Sequence, residues 1–363
     1  MGYVAVQGGI TAIESSEKLN RYLRLRGTSA PLGVAQIMEQ MGPLVDRVMG
    51  EGGLYSAFHA ALAIKQACGD PIEASFLLRA YRSTLRRLVD TLPVRTGEMR
   101  ILRRISSAFK TIPGGQVLGS TSDYEQRILD FSLADETEEA QREAVNSFES
   151  QLEGAGQALQ PAAFRAVIDM LRDQGLVPPV PPESTQEPTD ITQESPTFPM
   201  HRSGRLQMLA RAETGGVLAL AYSSMRGYGM VHPTVAELRV GRVRVQIPHP
   251  WRKGAAVTLG SAVLTEVQIV ASMEKAAEDV KPTFSLGYGS CFGHNEVKAI
   301  SAAVLDRAMR SASLGAPAED QEFVLMHTDG VESSGFCSHF KLPHYVTFQA
   351  DLDRLRAMRG ANE

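Results

Sequence analysis

The stretch VAELRVGRVRVQI, residues 235–247, decides the fold class. Apolar β-branched residues alternate there with charged ones, as in half-buried strands, and Gly241-Arg242 sits in the middle. The pattern predicts strands at 235–240 and 243–247 that meet as a hairpin at Gly241-Arg242. Two more strands are expected at 256–259 and 263–270. A strand at 283–286, a glycine loop and a helix from about 295 to 311 complete this half.

Upstream the chain reads mostly as helix after a short strand at 3–6. Val34, Ile37, Met38, Met41, Leu44, Val45 and Val48 recur at three-and-four spacing, and Pro43 should kink or split the run. Pro71 suits a first helical turn, with Phe76, Leu77, Ala80, Leu85 and Leu88 continuing an apolar face. Further helices are expected at 99–109, 124–133, 138–152 and 162–174. The segment VPPVPPESTQEPTDITQESPTFP, residues 177–199, has few residues fit for a core. The expected fold class is therefore α+β. A mainly helical domain spans 1–175, a proline-rich linker or arm 176–200, and a mixed domain with antiparallel hairpins 201–363.

With 363 residues, 43% hydrophobic and 21% charged, the chain can bury a large core. A formal charge of −4 makes no case for nucleic acid or an acidic membrane as partner. No apolar run is long enough to span a bilayer, and the N-terminus lacks the basic-then-apolar order of a secretory signal. Cys68, Cys291 and Cys337 form no CxxC pair, cluster spacing or disulfide framework, so a reducing cytoplasm is expected.

Chemistry-bearing residues concentrate in EFVLMHTDGVESSGFCSHFKLPHYVTFQ, residues 322–349, which holds His327, Asp329, Glu332, Cys337, His339 and His344. A spacing of five does not place His339 and His344 on one helix face, and Pro343 makes the link between them extended or turning. Two imidazoles on a stiff loop can form a partial metal site; solvent-facing or hydrogen-bonded histidines explain the same letters.

Gly287, Gly289 and Gly293, with a helix behind them, would let backbone approach an anion, and a tight packing turn is the alternative. Arg79, Arg82, Arg86, Arg87, Arg95, Arg100, Arg103 and Arg104 precede IPGGQ at 112–116 and could receive a polyphosphate or an acidic partner, although most should lie on solvated helix faces. In ALAYSSMRGYG, residues 219–229, Tyr222, Arg226 and Tyr228, with His232 beyond, could meet a nucleobase and its sugar; a buried strand entering a turn fits equally. No nucleophile elbow or serine–histidine–aspartate order supports covalent hydrolysis.

Taken together, YVAVQGG, EASFLLRAYRSTL, IPGGQVLG, SDYEQRILDFSL, LALAYSSMRGYG, GYGSCFGHNEVKAISAAVLDRAM and the stretch at 322–349 resemble the I subunit (PhnI) family of the carbon–phosphorus lyase core complex. The likeness covers both ends and most of the middle, and is absent across about 134–190. It implies a subunit of bacterial phosphonate breakdown that, with G, H and L partners, displaces adenine from MgATP by an alkylphosphonate. The product would be a ribose 1-phosphonate 5-triphosphate. Alone, such a subunit resembles a purine nucleoside triphosphate nucleosidase, with water as acceptor. The resemblance also implies two copies each of G, H, I and J, the J subunit being the iron–sulfur enzyme that breaks the carbon–phosphorus bond.

The family's SH-x-KLPH motif falls on His339 and His344, which implies Zn2+ at a site shared with the J subunit. One departure is Val297, where a basic residue is expected, although Lys298 follows. Base displacement builds positive charge on the ribose and asks for a proton on the purine. Asp329 and Glu332 are candidates for the first task and His327 for the second. Gly287, Gly289, Gly293 and Arg104 are candidates for the triphosphate. Two competing readings are a non-catalytic scaffold that lends zinc ligands to the J subunit and a self-sufficient zinc hydrolase. The second lacks a third histidine in an HExxH-like helix.

Overall fold

A computed structural model describes residues 7–155, 165–181, 187–227, 232–273, 281–311 and 315–360. The expected strand at 3–6 and Tyr228 lie outside these residues, as do parts of the expected linker and of the helix expected at 162–174. The α+β class holds. One antiparallel sheet, in the order β1 (Arg100–Ile105), β2 (Thr234–Pro248), β3 (Ala256–Met273) and β4 (Phe284–Phe292), is surrounded by helices. Because β1 comes from the first half of the chain, the sheet joins both halves.

The hairpin expected at Gly241-Arg242 is absent. β2 runs straight through it, with Gly241 opposite Leu264 on one side and Ile101 on the other. A Cβ at Gly241 would strike Arg100 O and the Met99 side chain, so this glycine admits β1 rather than reversing the chain. The reversal comes after Pro248, where His249 N donates to Ala255 O at 2.9 Å. Residues 256–259 and 263–270 likewise belong to one strand, in which Gly260 pairs with Val245.

The segment expected as a helix at 99–109 contains β1 instead. A register shift between Ile101 and Arg103 breaks its alternation, and Arg103 and Arg104 are both buried on ion pairs. The expected helix at 124–133 is also missing; only a 3-10 turn, Phe131–Asp135, follows.

The expected glycine loop is strand too. Gly287 and Gly289 lie inside β4 and face α10 (Glu296–Ala308); a Cβ on either would collide with Ala303 O or Ala299 O. Gly293 has φ +85° and makes the turn into that helix. There His294 N donates to Asp46 Oδ2 at 2.8 Å, and Asn295 caps the helix by accepting Lys298 N at 3.1 Å. The turn before this helix is thus held by the chain's own Asp46 side chain.

Four helices form the N-terminal core: α2 (Val34–Gln40), α3 (Gly42–Gly52), α4 (Ala57–Gln66) and α5 (Pro71–Ser83), after an exposed α1 (Gly9–Leu25). Pro43 splits α2 from α3 as expected, and Asp70 caps α5 by accepting Ile72 N at 2.8 Å. Beyond an exposed α6 (Glu138–Ala155), α7 (Val167–Asp173) packs on the sheet through Val167, Ile168 and Leu171. The principal core lies where α8 (Arg202–Arg211), α9 (Thr214–Met225) and α10 cover Leu238, Val240, Val267, Ile269 and Cys291. The run at 219–229, which also reads as a buried strand, contributes to α9; its even apolarity hides the helical period. Among the described residues, no helix is long and apolar enough to cross a membrane.

Candidate functional site

The residues of 322–349 lie on α11 (Gln321–His327), α12 (Gly330–His339) and α13 (Tyr345–Gly360). Asp320 caps α11 through Phe323 N, and Asp329 caps α12 through Val331 N and Glu332 N at 3.1 and 3.3 Å. His339 ends α12. Leu342 N donates back to His339 O at 3.0 Å, Pro343 blocks continuation, and Phe348 N donates to His344 O at 3.0 Å as α13 begins. This turn folds the two imidazoles onto each other, with ring centroids 4.5 Å apart and planes at 80°.

His344 Nδ1–H donates to Leu342 O at 2.6 Å, which in the neutral ring leaves Nε2 with a bare lone pair. Such a nitrogen suits a metal ion of intermediate softness. Among the described residues, no three His, Cys, Asp or Glu side chains are grouped to hold a metal ion. The histidine pair supplies two donors. Around it, Phe336, Phe340, Tyr345, Val346 and Phe348 are exposed, and Phe340 stacks on His344 at 6.2 Å. Neither α12 nor α13 buries a residue.

The other candidates fall at the opposite end of α12, about 15 Å away by helical rise. Asp329 is buried and takes both carboxylate oxygens to Arg79 Nη1, at 3.0 and 2.9 Å. Arg211 Nη2 lies 3.7 Å from the same carboxylate. Arg79 Nη2 also donates to Glu51 O at 2.9 Å. Glu332 is exposed and lines a cavity of about 390 Å³ with Arg211, Met208, Met326 and the segment 191–196. His327 is exposed as well; its Nδ1–H donates to Phe323 O at 2.7 Å and its ring packs on Phe323 at 4.5 Å. The histidine pair and the Asp329 node are therefore two places, joined by one helix.

Burial, and then the neighbouring Arg79, pull the guanidinium of Arg211 below its ordinary value; burial and Arg79 do the same to Arg82. Asp329 and Glu332 oppose that shift at Arg211, so the arginines and carboxylates of this cluster largely balance. The surrounding lattice ties α3 to α9: Glu51 accepts Arg47 Nε at 2.9 Å, Thr214 N at 2.9 Å and Thr214 Oγ1 at 2.8 Å. Glu213 pairs with Arg47 and caps α9 through Gly215 N at 2.8 Å. Sequence reasoning did not single out Arg211, Glu51 or Glu213. Arg47 and Glu51, four apart on one helix, were the available signal.

Of the candidates for the triphosphate, Arg104 is fully buried, pairs with Glu237 at 2.5 Å, and donates to the carbonyls of Pro113, Gly115 and Arg165. It clamps the loop after β1. Gly289 and Gly293 face α10 and Asp46; Gly287 faces α10 and also borders a cavity. From the run at 219–229, Tyr222 is exposed on α9. Lys298 is buried, and its Nζ has no hydrogen-bond partner among the described residues.

A family model described as bacterial phosphonate metabolism protein (PhnI) matches residues 2–362. The protein HtxH of Stutzerimonas stutzeri, provisionally named a C-P lyase subunit, is 52% identical across 98% of this chain and 95% of its own. "Alpha-D-ribose 1-methylphosphonate 5-triphosphate synthase subunit PhnI" of Escherichia coli (strain K12) is 45% identical across 98% of both chains. The protein of the same name from Rhizobium meliloti (strain 1021) is 45% identical across 99% of this chain and 96% of its own.

Proposed function

The chain belongs to the bacterial phosphonate metabolism (PhnI) family, the I subunits of the C-P lyase system, and from that premise we propose that it is the base-displacing subunit of a phosphonate-activating assembly. In this reading an alkylphosphonate oxygen attacks the anomeric carbon of MgATP and adenine leaves. The product is an α-D-ribose 1-phosphonate 5-triphosphate, the class of compound in its relatives' names. G, H and L partners are needed for the transfer. The isolated chain hydrolyses purine nucleoside triphosphates, with water in place of the phosphonate. The assembly works in the cytoplasm.

Supporting this reading is the relatives' shared name, matched along almost the whole length, together with an intact His339–His344 pair whose rings are 4.5 Å apart. The pair fits half of a tetrahedral Zn2+ site, and the J subunit, substrate or water completes it. Exposed aromatic residues around the pair suit a subunit contact at that place. When bound, the zinc supplies a Lewis acid at the junction of the subunits.

For base displacement, the chain's own groups divide by position. Arg79, Arg82 and Arg211 favour the triphosphate, whose Mg2+ shares the charge. Glu332, at the cavity mouth, faces the positive charge that grows on the ribose, and Asp329 holds Arg79 and Arg211 in place. His327, as the imidazolium with Nδ1–H held by Phe323 O, gives its Nε2 proton to the departing purine.

The second reading, a scaffold that only lends zinc ligands, draws on the same exposed histidine pair. Purine release from MgATP by the purified chain separates the two: the catalytic reading expects slow release, and a scaffold releases none.

A further inference from the structure

We propose that a cavity at the open edge of β4 is a second small-molecule site, one that takes a phosphate- or diphosphate-bearing ligand. This proposal is independent of the nucleotide chemistry above. The cavity encloses about 370 Å³, within the range of small-ligand sites. Ile168, Leu286 and three prolines, Pro178, Pro179 and Pro181, give it apolar and stiff walls. Arg172, Arg202 and Arg310 line it as well, from α7, from the first residue of α8 and from just beyond α10.

Each of these arginines is held, and each keeps one nitrogen unused. Arg172 gives Nε to Pro178 O at 3.3 Å and Nη1 to Asp169 at 2.5 Å. Arg202 gives Nε and Nη2 to Asp306 at 3.1 and 2.8 Å. Arg310 gives Nε to Asp306 O at 3.2 Å and Nη2 to Leu286 O and to Asp306. Nη2 of Arg172 and Nη1 of Arg202 and of Arg310 make no hydrogen bond among the described residues.

Asp306 is the post on which this is built. It is fully buried, and its Oδ2 also accepts Tyr288 N at 3.0 Å, on the side of β4 that pairs with no further strand among the described residues. A merely structural role, covering the edge strand, would need only Arg310 and Asp306. It does not by itself account for Arg202 and Arg172 lining the same cavity, each with one nitrogen beyond its protein contacts.

Charge balance points the same way. Arg205 lies within the electrostatic reach of Asp306, Arg202 and Arg310. The three arginines that line the cavity share two carboxylates, Asp169 and Asp306. Three pre-positioned N–H donors around an apolar-walled cavity match the oxygens of a phosphoryl group better than a single carboxylate. Their rotamer entropy has already been lost to protein contacts, which favours binding.

The test is calorimetric titration of the full chain with inorganic pyrophosphate, in wild type, Arg172→Gln, Arg310→Gln, Arg142→Gln and His339→Ala. Arg142 is an exposed arginine of α6, remote in sequence from the cavity, and serves as the control. The expected result is salt-sensitive binding that weakens roughly tenfold or more in each cavity variant and is unchanged in Arg142→Gln and His339→Ala. Arg172→Lys, which keeps the charge but not the fork, should fall between wild type and Arg172→Gln. No binding to wild type overturns the proposal. So does equal binding by Arg172→Gln, Arg310→Gln and wild type, with folding verified by circular dichroism.

Discussion

Arg79 and Asp329 stand 250 residues apart and meet as a forked ion pair, Nη1 lying 3.0 and 2.9 Å from the two carboxylate oxygens. The same carboxylate caps α12, and the same guanidinium holds the end of α3 through Glu51 O. One contact thereby fixes the helix that carries His339 against the N-terminal helical core.

Removing Arg79 leaves the buried Asp329 only the more distant Arg211, and removing the Asp329 charge leaves the half-buried Arg79 only Glu51 O. Asp329→Asn keeps the cap's shape and loses the charge, and should cost roughly 3 kcal/mol of stability; Arg79→Met should cost a similar amount. Urea denaturation of the single and double variants measures this. A double variant no worse than either single is the expected sign of coupling. Changes within about 0.5 kcal/mol for both singles would show that the pair does not tie the helices.

Gly289 and Gly260 sit in neighbouring strands and should respond in opposite ways. A methyl at Gly289 would collide with Ala299 O and Ala303 N of α10, whereas none of the described residues comes within 4 Å of one at Gly260. Gly289→Ala should lose several kcal/mol, about 3 or more, or fail to fold. Gly260→Ala should be neutral or gain about 0.5 kcal/mol through the unfolded chain. Thermal unfolding of the two variants decides whether β4's glycines are packing residues.

Lys298 places an ammonium with no hydrogen-bond partner among the described residues in the core beneath Gly50, where a methyl would come within 3.6 Å of Nζ, and Glu51 and Glu213 only partly offset its burial. Burial holds its amine below the ordinary lysine value. The unfolded chain then binds that proton more tightly than the folded one. Stability should rise with pH between the lowered folded value and the ordinary value near 10.4. Lys298→Met should stabilise by roughly 1–3 kcal/mol near neutral pH and flatten that rise. Denaturation midpoints from pH 7 to 10 check both effects; a destabilised variant would mean that the ammonium has a partner.

Zinc content of the assembled complex tests the histidine pair. Replacing His339 or His344 with alanine should reduce bound zinc well below one per chain, while the circular dichroism spectrum holds, because α12 and α13 bury no residue. Elemental analysis after dialysis reads the result. Full retention of zinc by both variants would move the metal elsewhere.

Much of this was legible in the sequence. Pro43 and Pro71 marked helix boundaries because proline's missing N–H and fixed φ act locally. The turn between His339 and His344 followed from Pro343 by the same logic. Glycine was harder to interpret. Gly241, Gly287 and Gly289 read as turns or a ligand loop, but each answers to a neighbour distant in sequence: Arg100 O, Ala303 O and Ala299 O. β1 was hidden for a related reason. Its register shift breaks the alternation, and Arg103 and Arg104 are buried on partners, Glu296 and Glu237, that lie far along the chain. Nearness in sequence also misled at the site: six candidate residues in 322–349 separate onto the two ends of α12.

The decisive measurement is of the transfer reaction itself. Methylphosphonate and MgATP are supplied to the chain assembled with G, H and L partners, and products are followed by adenine release and phosphorus NMR. The predicted result is one adenine released for each ribose 1-methylphosphonate 5-triphosphate formed. Adenine absent from a verified assembly, or released without any phosphonate-linked ribose, would contradict the transfer reading.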